Sequence, residues 1–366
     1  MHHIDELRDI TMARELAESI RKVADRPLRF MEVCGTHTMA IARYGIKSML
    51  GDNVKLVSGP GCPVCVTPQS QIDRFMQLGK DTSNILTTFG DMIRVPGTKT
   101  NLEVERAKGA DVRIVYSPLD AVEIAATNPD KRIVFFGVGF ETTTPAVALA
   151  ILEARKRSIN NFYVLSAHKL VPPALTALLS DPEITLNGLI CPGHVSTILG
   201  SDTYLPIASD YGIPCVVTGF EPLDILQAIR MLVVQAISGQ PKVEIQYSRA
   251  VSKTGNPSAQ KSVYKVFTPE DAQWRGLGMI PMSGLRIKEE YAQHDASQFL
   301  PEQTAAPEEP SVCMCGVILK GLKSPRDCPA FGKACTPEYP IGPCMVSSEG
   351  SCAAEYKYSS VETGQC

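Results

Sequence analysis

Eight short apolar runs, at 28–33, 54–57, 85–89, 112–116, 133–138, 162–165, 188–191 and 215–218, alternate with stretches of helical spacing such as 102–108, 118–127, 145–157, 173–179 and 222–237. Several of those stretches have proline in the first turn, where the missing N–H is no loss. This alternation constrains the fold more than any other feature. Strands separated by helix-length crossovers pair in parallel, in right-handed βαβ units whose helices cover the sheet. The expected fold class is therefore α/β. Eight strands could close one large sheet or barrel, but two similar lobes with parallel sheets suit the 366 residues and are the preferred reading. The division is expected near 118–130, with lobe I spanning 1–118 and lobe II 119–295.

The segment SQFLPEQTAAPEEPS (297–311) has three prolines and three glutamates and few apolar residues, the composition of a stiff, solvated connector. It opens a third region, 296–366, expected to be a loop-rich domain. Of the twelve cysteines, seven fall in the last 54 residues, from Cys313 onward, among closely spaced prolines and glycines. A piece this short cannot rely on an apolar core and needs a metal, a cluster or disulfides to stay folded. The first 23 residues mix Asp5, Glu6, Arg8 and Asp9 where a signal peptide would be apolar, so export is not expected. No run approaches the ~20 apolar residues of a membrane span. The chain is placed in the cytoplasm, where thiols stay reduced and clustered cysteines point to metal, cluster or redox work. With a net charge of −3 it has no basic surplus for nucleic acid.

Three cysteine constellations carry chemistry. Cys34-Gly35-Thr36-His37-Thr38 directly follows the run 28–33. A helix starting there would aim N–H groups at Cys34 and favour its thiolate, a nucleophile or soft metal ligand, although a single cysteine is more often a buried core residue. Gly59-Pro60-Gly61-Cys62-Pro63-Val64-Cys65 follows the next run; two cysteines at this spacing form a redox pair or chelate a metal. In the tail, Cys313 and Cys315 precede Cys328, Cys335, Cys344, Cys352 and the terminal Cys366. An iron-sulfur cluster takes four thiolates, which leaves two of the six closely grouped cysteines for a thiol pair beside it. Structural zinc ranks lower, because the tail has no second C-x-x-C.

Other turns carry weaker signals. Gly137-Val138-Gly139-Phe140-Glu141-Thr142 lacks the third glycine of a dinucleotide fingerprint. The turns at Cys191-Pro192-Gly193-His194 and Thr218-Gly219-Phe220-Glu221 also follow apolar runs and could line one cleft. His168 is expected to be a satisfied structural histidine, and Cys215 a core residue.

Taken together, MEVCGTHT (31–38), GPGCPVC (59–65), FGDMIRVPG (89–97), DVRIVYSPLDA (111–121), FFGVGFETT (135–143), GFEPLD (219–224), WRGLG (274–278) and CPAFGKACTPEYPIGPCMVSSEGSCAA (328–354) resemble the HypD family of hydrogenase maturation factors, from about residue 25 to 358. The resemblance implies two α/β lobes plus a cluster-bearing C-terminal domain. It implies a scaffold on which iron acquires two cyanides and one carbon monoxide, Fe(CN)2CO, with a small HypC-type chaperone sharing the iron and a HypE-type protein donating cyanide as a thiocyanate. It makes Cys34 the iron ligand with His37 close by, and Cys62 and Cys65 the redox pair of the same cleft. In the tail it suggests Cys313, Cys328, Cys335 and Cys352 as ligands of a [4Fe-4S] cluster and Cys315 with Cys344 as the adjacent thiol pair, Cys315 being the alternative to Cys313 as ligand. His2, His3 and Cys366 receive no role.

An assembly scaffold with redox activity leads two other classes. A free-standing, cluster-dependent thiol-disulfide reductase would leave Cys34 unused. A binding module would make the tail cluster purely structural.

Overall fold

A computed structural model describes residues 6–300 and 312–362, with side chains to 358. The connector prolines 301, 307 and 310, the His2-His3 start and Cys366 lie outside the described residues. All eight apolar runs are strands: β1 (Leu28–Glu32), β2 (Val54–Ser58), β3 (Asn84–Thr88), β4 (Val112–Ile114), β5 (Arg132–Gly137), β6 (Phe162–Ser166), β7 (Gly188–Pro192) and β8 (Cys215–Thr218). They form two parallel sheets. The first has the order β2-β1-β7-β8-β9, with β9 (Val243–Ile245) added at its edge, and the second β4-β3-β5-β6.

The α/β class with two parallel sheets holds, but the boundary near residue 118 is corrected. Residue 118 lies between β4 and β5, and both belong to the second sheet, where β3 pairs with each of them. The chain leaves the first sheet after β2 and returns to it at β7, so the first lobe is built from two separated stretches. A crossover's length and hand restrict its geometry without naming the sheet it rejoins. An antiparallel hairpin, β10 (Phe267–Trp274) and β11 (Gly278–Ile287), is an unexpected addition. It follows the helix Pro257–Val266 and packs on the helix Val171–Leu179.

Strand alternation divides the first sheet's core. Phe30, Leu56, Ile190 and Val216 face the helices Ile10–Val23, Gly35–Arg43 and Pro222–Ser238. Their neighbours Met31, Val57, Leu189 and Val217 face a central cluster shared with Phe136 of the second sheet, Trp274 of the hairpin, and Cys315, Ile318 and Cys344 of the tail. With period 2, one strand feeds two cores. The tail is tied across both lobes: Lys320 pairs with Asp181 at 2.9 Å, Arg94 donates to the Pro337 carbonyl at 2.7 Å, and the helix Ser351–Glu362 packs on Gly35–Arg43.

Candidate functional site

Parallel strands bring their carboxyl ends to one edge, where ligands bind α/β sheets. At that edge of the first sheet, β1 runs into Cys34, β2 into Gly59-Pro60-Gly61-Cys62, β7 into Gly193-His194 and β8 into Gly219-Phe220. Gly35 donates its N–H to the Gly61 carbonyl at 2.9 Å. A Cβ on Gly61 would lie 2.2 Å from the Cys34 nitrogen, so glycine is needed there for close approach. This contact places the C-x-x-C segment beside Cys34.

Cys34 caps the helix Gly35–Arg43 and is buried. The expected helix-start effect is present, since the N–H groups of Thr36 and His37 favour its thiolate, but it is outweighed. Burial first, and then the Glu349 carboxylate, push the thiol up to about 12. A metal cation binding there would displace the proton. Beneath it, buried Glu32 accepts the Cys34 N–H at 3.1 Å and the Thr38 hydroxyl at 2.5 Å. Burial raises its carboxyl to about 7 against those hydrogen bonds.

His37 is fully buried, and its Nε2 lies 3.0 Å from the Gly219 carbonyl. Because a carbonyl only accepts, Nε2 carries the proton, and the Nδ1 lone pair is buried without a partner. Burial lowers the imidazole to about 4, so it is a neutral, metal-competent base at physiological pH. His37 and His194 both pack on Phe220, at 4.8 and 4.1 Å between ring centroids. The tail completes this wall: Glu349 accepts the Thr36 hydroxyl at 2.7 Å, and a Cβ on Gly35 would lie 2.4 Å from the Glu349 Cβ. Sequence reasoning did not single out Glu32 or Glu349. The available signals were an acid ending an apolar strand and an acid three residues before a tail cysteine.

Four sulfurs form a continuous row. The Cys65 N–H points at Cys62 Sγ at 3.4 Å, the Cys65 and Cys344 thiols lie close enough to act on each other's proton affinity, and Cys344 and Cys315 lie 2.7 Å apart. The helical turn Pro63–Val66 packs directly on the turn Pro343–Met345. Burial, the largest influence, drives the Cys65 thiol well up, so exchange from it requires its proton to leave with the reaction.

Around the end of that row, Cys313, Cys315, Cys328, Cys335, Cys344 and Cys352 line one tight apolar pocket. Burial raises Cys313 to about 12, and neighbouring Cys315, Cys328 and Cys335 add to the shift; Cys352 is raised by burial and by the same group. Thiolates gathered this closely repel one another unless a cationic centre shares them. The Ile341 N–H donates to Cys335 Sγ at 3.3 Å, as suits a thiolate ligand. Among the described residues no three His, Cys, Asp or Glu side chains converge on a single-ion site. A cluster spreads its thiolates over several irons and does not need such convergence.

Cys191 and Cys215 are fully buried neighbours on β7 and β8, Cys215 being core as expected. His168 is only half satisfied: Nδ1 lies 3.0 Å from the Ser166 hydroxyl, while buried Nε2 has no partner. No described helix is long and apolar enough to cross a membrane.

Residues 11–359 match the family profile HypD, described as the hydrogenase formation hypA family. The chain is 48% identical over 367 aligned residues to the hydrogenase maturation factor HypD of Azotobacter vinelandii, covering 98% of this chain and 97% of that protein. It is 47% identical over 367 residues to the hydrogenase expression/formation protein HupD of Azotobacter chroococcum mcd 1, covering 98% and 97%. It is 44% identical over 372 residues to the hydrogenase maturation factor HypD of Escherichia coli strain K12, covering 99% and 100%.

Proposed function

The chain belongs to the HypD family of hydrogenase maturation factors, and within that process we propose that it is a cytoplasmic, redox-active scaffold on which an iron cargo acquires two cyanides and one carbon monoxide. Cys34 holds the iron, with His37 beside it, and a HypC-type chaperone supplies the other side. A HypE-type protein brings cyanide as a thiocyanate. Soft thiolates suit a low-valent iron carrying such ligands.

The observation that carries this reading is the row Cys62, Cys65, Cys344, Cys315, running from the Cys34 cleft to the tail pocket. Releasing cyanide from a thiocyanate breaks the S–C bond and takes two electrons. The Cys62/Cys65 dithiol provides both: the pair closes to a disulfide, one of its protons passes to the partner's thiolate and the other to solvent, and cyanide goes to the iron as the anion. The reduced Cys344/Cys315 pair restores Cys62/Cys65 by thiol-disulfide exchange through neighbouring sulfurs. Cys313, Cys328, Cys335 and Cys352 fit a [4Fe-4S] cluster, because they are four thiols lining one apolar pocket, with burial raising Cys313 and Cys352. Such a cluster supplies electrons singly from an external one-electron donor. The close pairing of Cys315 with Cys344 favours Cys313 as the ligand.

The test is the infrared spectrum of the protein with its small partner after exposure to the cyanide donor. In the double variant Cys62→Ala, Cys65→Ala the cyanide bands are expected to be absent while cluster absorption persists. Normal cyanide incorporation in that variant defeats the relay, and disulfide reduction without iron-bound cyanide in the unaltered protein makes it a thiol-disulfide reductase instead.

A further inference from the structure

The second sheet has its own carboxyl edge, and it carries a cleft that iron assembly leaves unused. The cleft has a volume of about 450 Å³, with Gln71, Arg74, Ser166, His168, Lys169 and Glu270 in its walls. Lys169 follows β6 and is held by a 3.0 Å bond from its N–H to the Gly139 carbonyl. Its side chain is 1% exposed, yet its ammonium has one contact, the Gln71 Oε1 at 3.4 Å, and makes no ion pair among the described residues. Burial weakens that charge, although the Glu270 carboxylate in the same wall favours it from beyond ion-pair distance.

Two further groups in the same walls are unsatisfied. The Ser166 hydroxyl donates to the Leu285 carbonyl at 2.6 Å, so the 3.0 Å contact with His168 is a donation from Nδ1–H to Ser166. His168 Nε2 is then a buried lone pair without a donor, and Arg74 Nε is a buried donor without an acceptor. Two unmatched polar groups and a buried ammonium with a single hydrogen-bond partner, in the walls of one cavity, describe a ligand that is itself polar.

We propose that this cleft binds a small oxyanion, a carboxylate or a phosphate, between the Lys169 ammonium and the Arg74 guanidinium. Glu270 and Asp271 stand in the same wall, so the cleft favours a singly charged oxyanion, a carboxylate or the monoanion of phosphate, over a multiply charged one. Burial lowers the Lys169 ammonium to about 8, so it is still a cation at neutral pH, and a bound anion strengthens that charge.

The site is tested by calorimetric titration of the full-length protein with inorganic phosphate and, separately, with acetate, using no partner, iron or hydrogenase, so the outcome is independent of the maturation reading. Saturable binding at one site is expected, weakened about tenfold or more by Lys169→Met and retained by Lys169→Arg. If Lys169→Met does not fold, the half-buried Arg74→Gln is expected to weaken binding severalfold. Displacement of phosphate by acetate marks a shared site, and binding of one alone identifies the ligand's chemistry. Absence of saturable binding of either anion, or unaltered affinity in the folded variants, overturns the proposal.

Discussion

The sheets and the tail are stabilised by different materials. In the sheets, alternating side chains such as Phe30 and Met31, or Val216 and Val217, fill cores on both faces, and burial of that carbon surface is the driving force. Among the described residues of the tail, regular structure is confined to short helical pieces, Cys315–Leu319, Pro325–Asp327 and Pro343–Met345, ahead of the final helix Ser351–Glu362. The tail's buried set is rich in sulfur: Cys315, Cys335, Cys344 and Cys352 stand beside Ile318, Leu319 and Met345. A sheet lobe can therefore hold its shape without a ligand, whereas on the proposed reading the tail depends on a cluster held by its thiols. The two meet where the chemistry is proposed, at Cys65 against Cys344 and at Thr36 against Glu349.

The largest separation of the two materials is expected from Cys335→Ala. Iron and sulfide content should collapse and the tail should become open to protease, while the circular dichroism of the sheets persists; a protease-resistant tail without iron would erase the distinction. Cys34→Ser reverses the pattern. Hydrogenase activity in cells carrying it should vanish with iron and sulfide content unchanged, and normal activity would remove Cys34 from the mechanism.

Within a lobe, Phe135 is fully buried and packs edge-on to Phe89 at 5.3 Å. Phe135→Ala should cost about 3–5 kcal/mol in chemical denaturation, the range for a large buried aromatic. Cluster absorption in native buffer should not move, and its loss would mean that lobe and tail unfold as one unit.

A smaller effect is expected from Glu141, whose Oε1 accepts the Val171 N–H at 2.9 Å while its other oxygen is buried and unpartnered. Burial raises its carboxyl from 4.5 to about 7. The folded protein then holds this proton more tightly than the unfolded chain, so the associated stability is complete below pH 4.5 and is lost as pH rises through about 7. Glu141→Gln should flatten that decline by on the order of 2 kcal/mol between pH 5 and 8. An unchanged slope in denaturation series across that range would refute the assignment.

The eight parallel strands are legible because each is a short apolar run bounded by turn residues, and the chemistry-bearing turns follow them directly. The hairpin is not, because Pro269, Pro281 and Gly284 read as strand breakers. In a two-stranded ribbon, however, both strands are edges and proline is tolerated. Sheet membership was also hidden, since β4 and β5 flank a helix that reads equally well as a linker between lobes. Glu349 and Glu32 escaped notice because a carboxylate's role depends on what it is buried against, which a local pattern does not carry.

Local spacing thus determined the α/β class, the turns that carry Cys34, His37, Cys62 and Cys65, and a tail rich in cysteine, proline and glycine. Only the tertiary structure decided that Cys65 lies beside Cys344 and that Glu349 closes over Gly35. It also decided that burial overrides the helix start at Cys34. Periodicity is a property of neighbours along the chain, whereas sulfur contacts and desolvation are set by segments that meet from opposite ends of it.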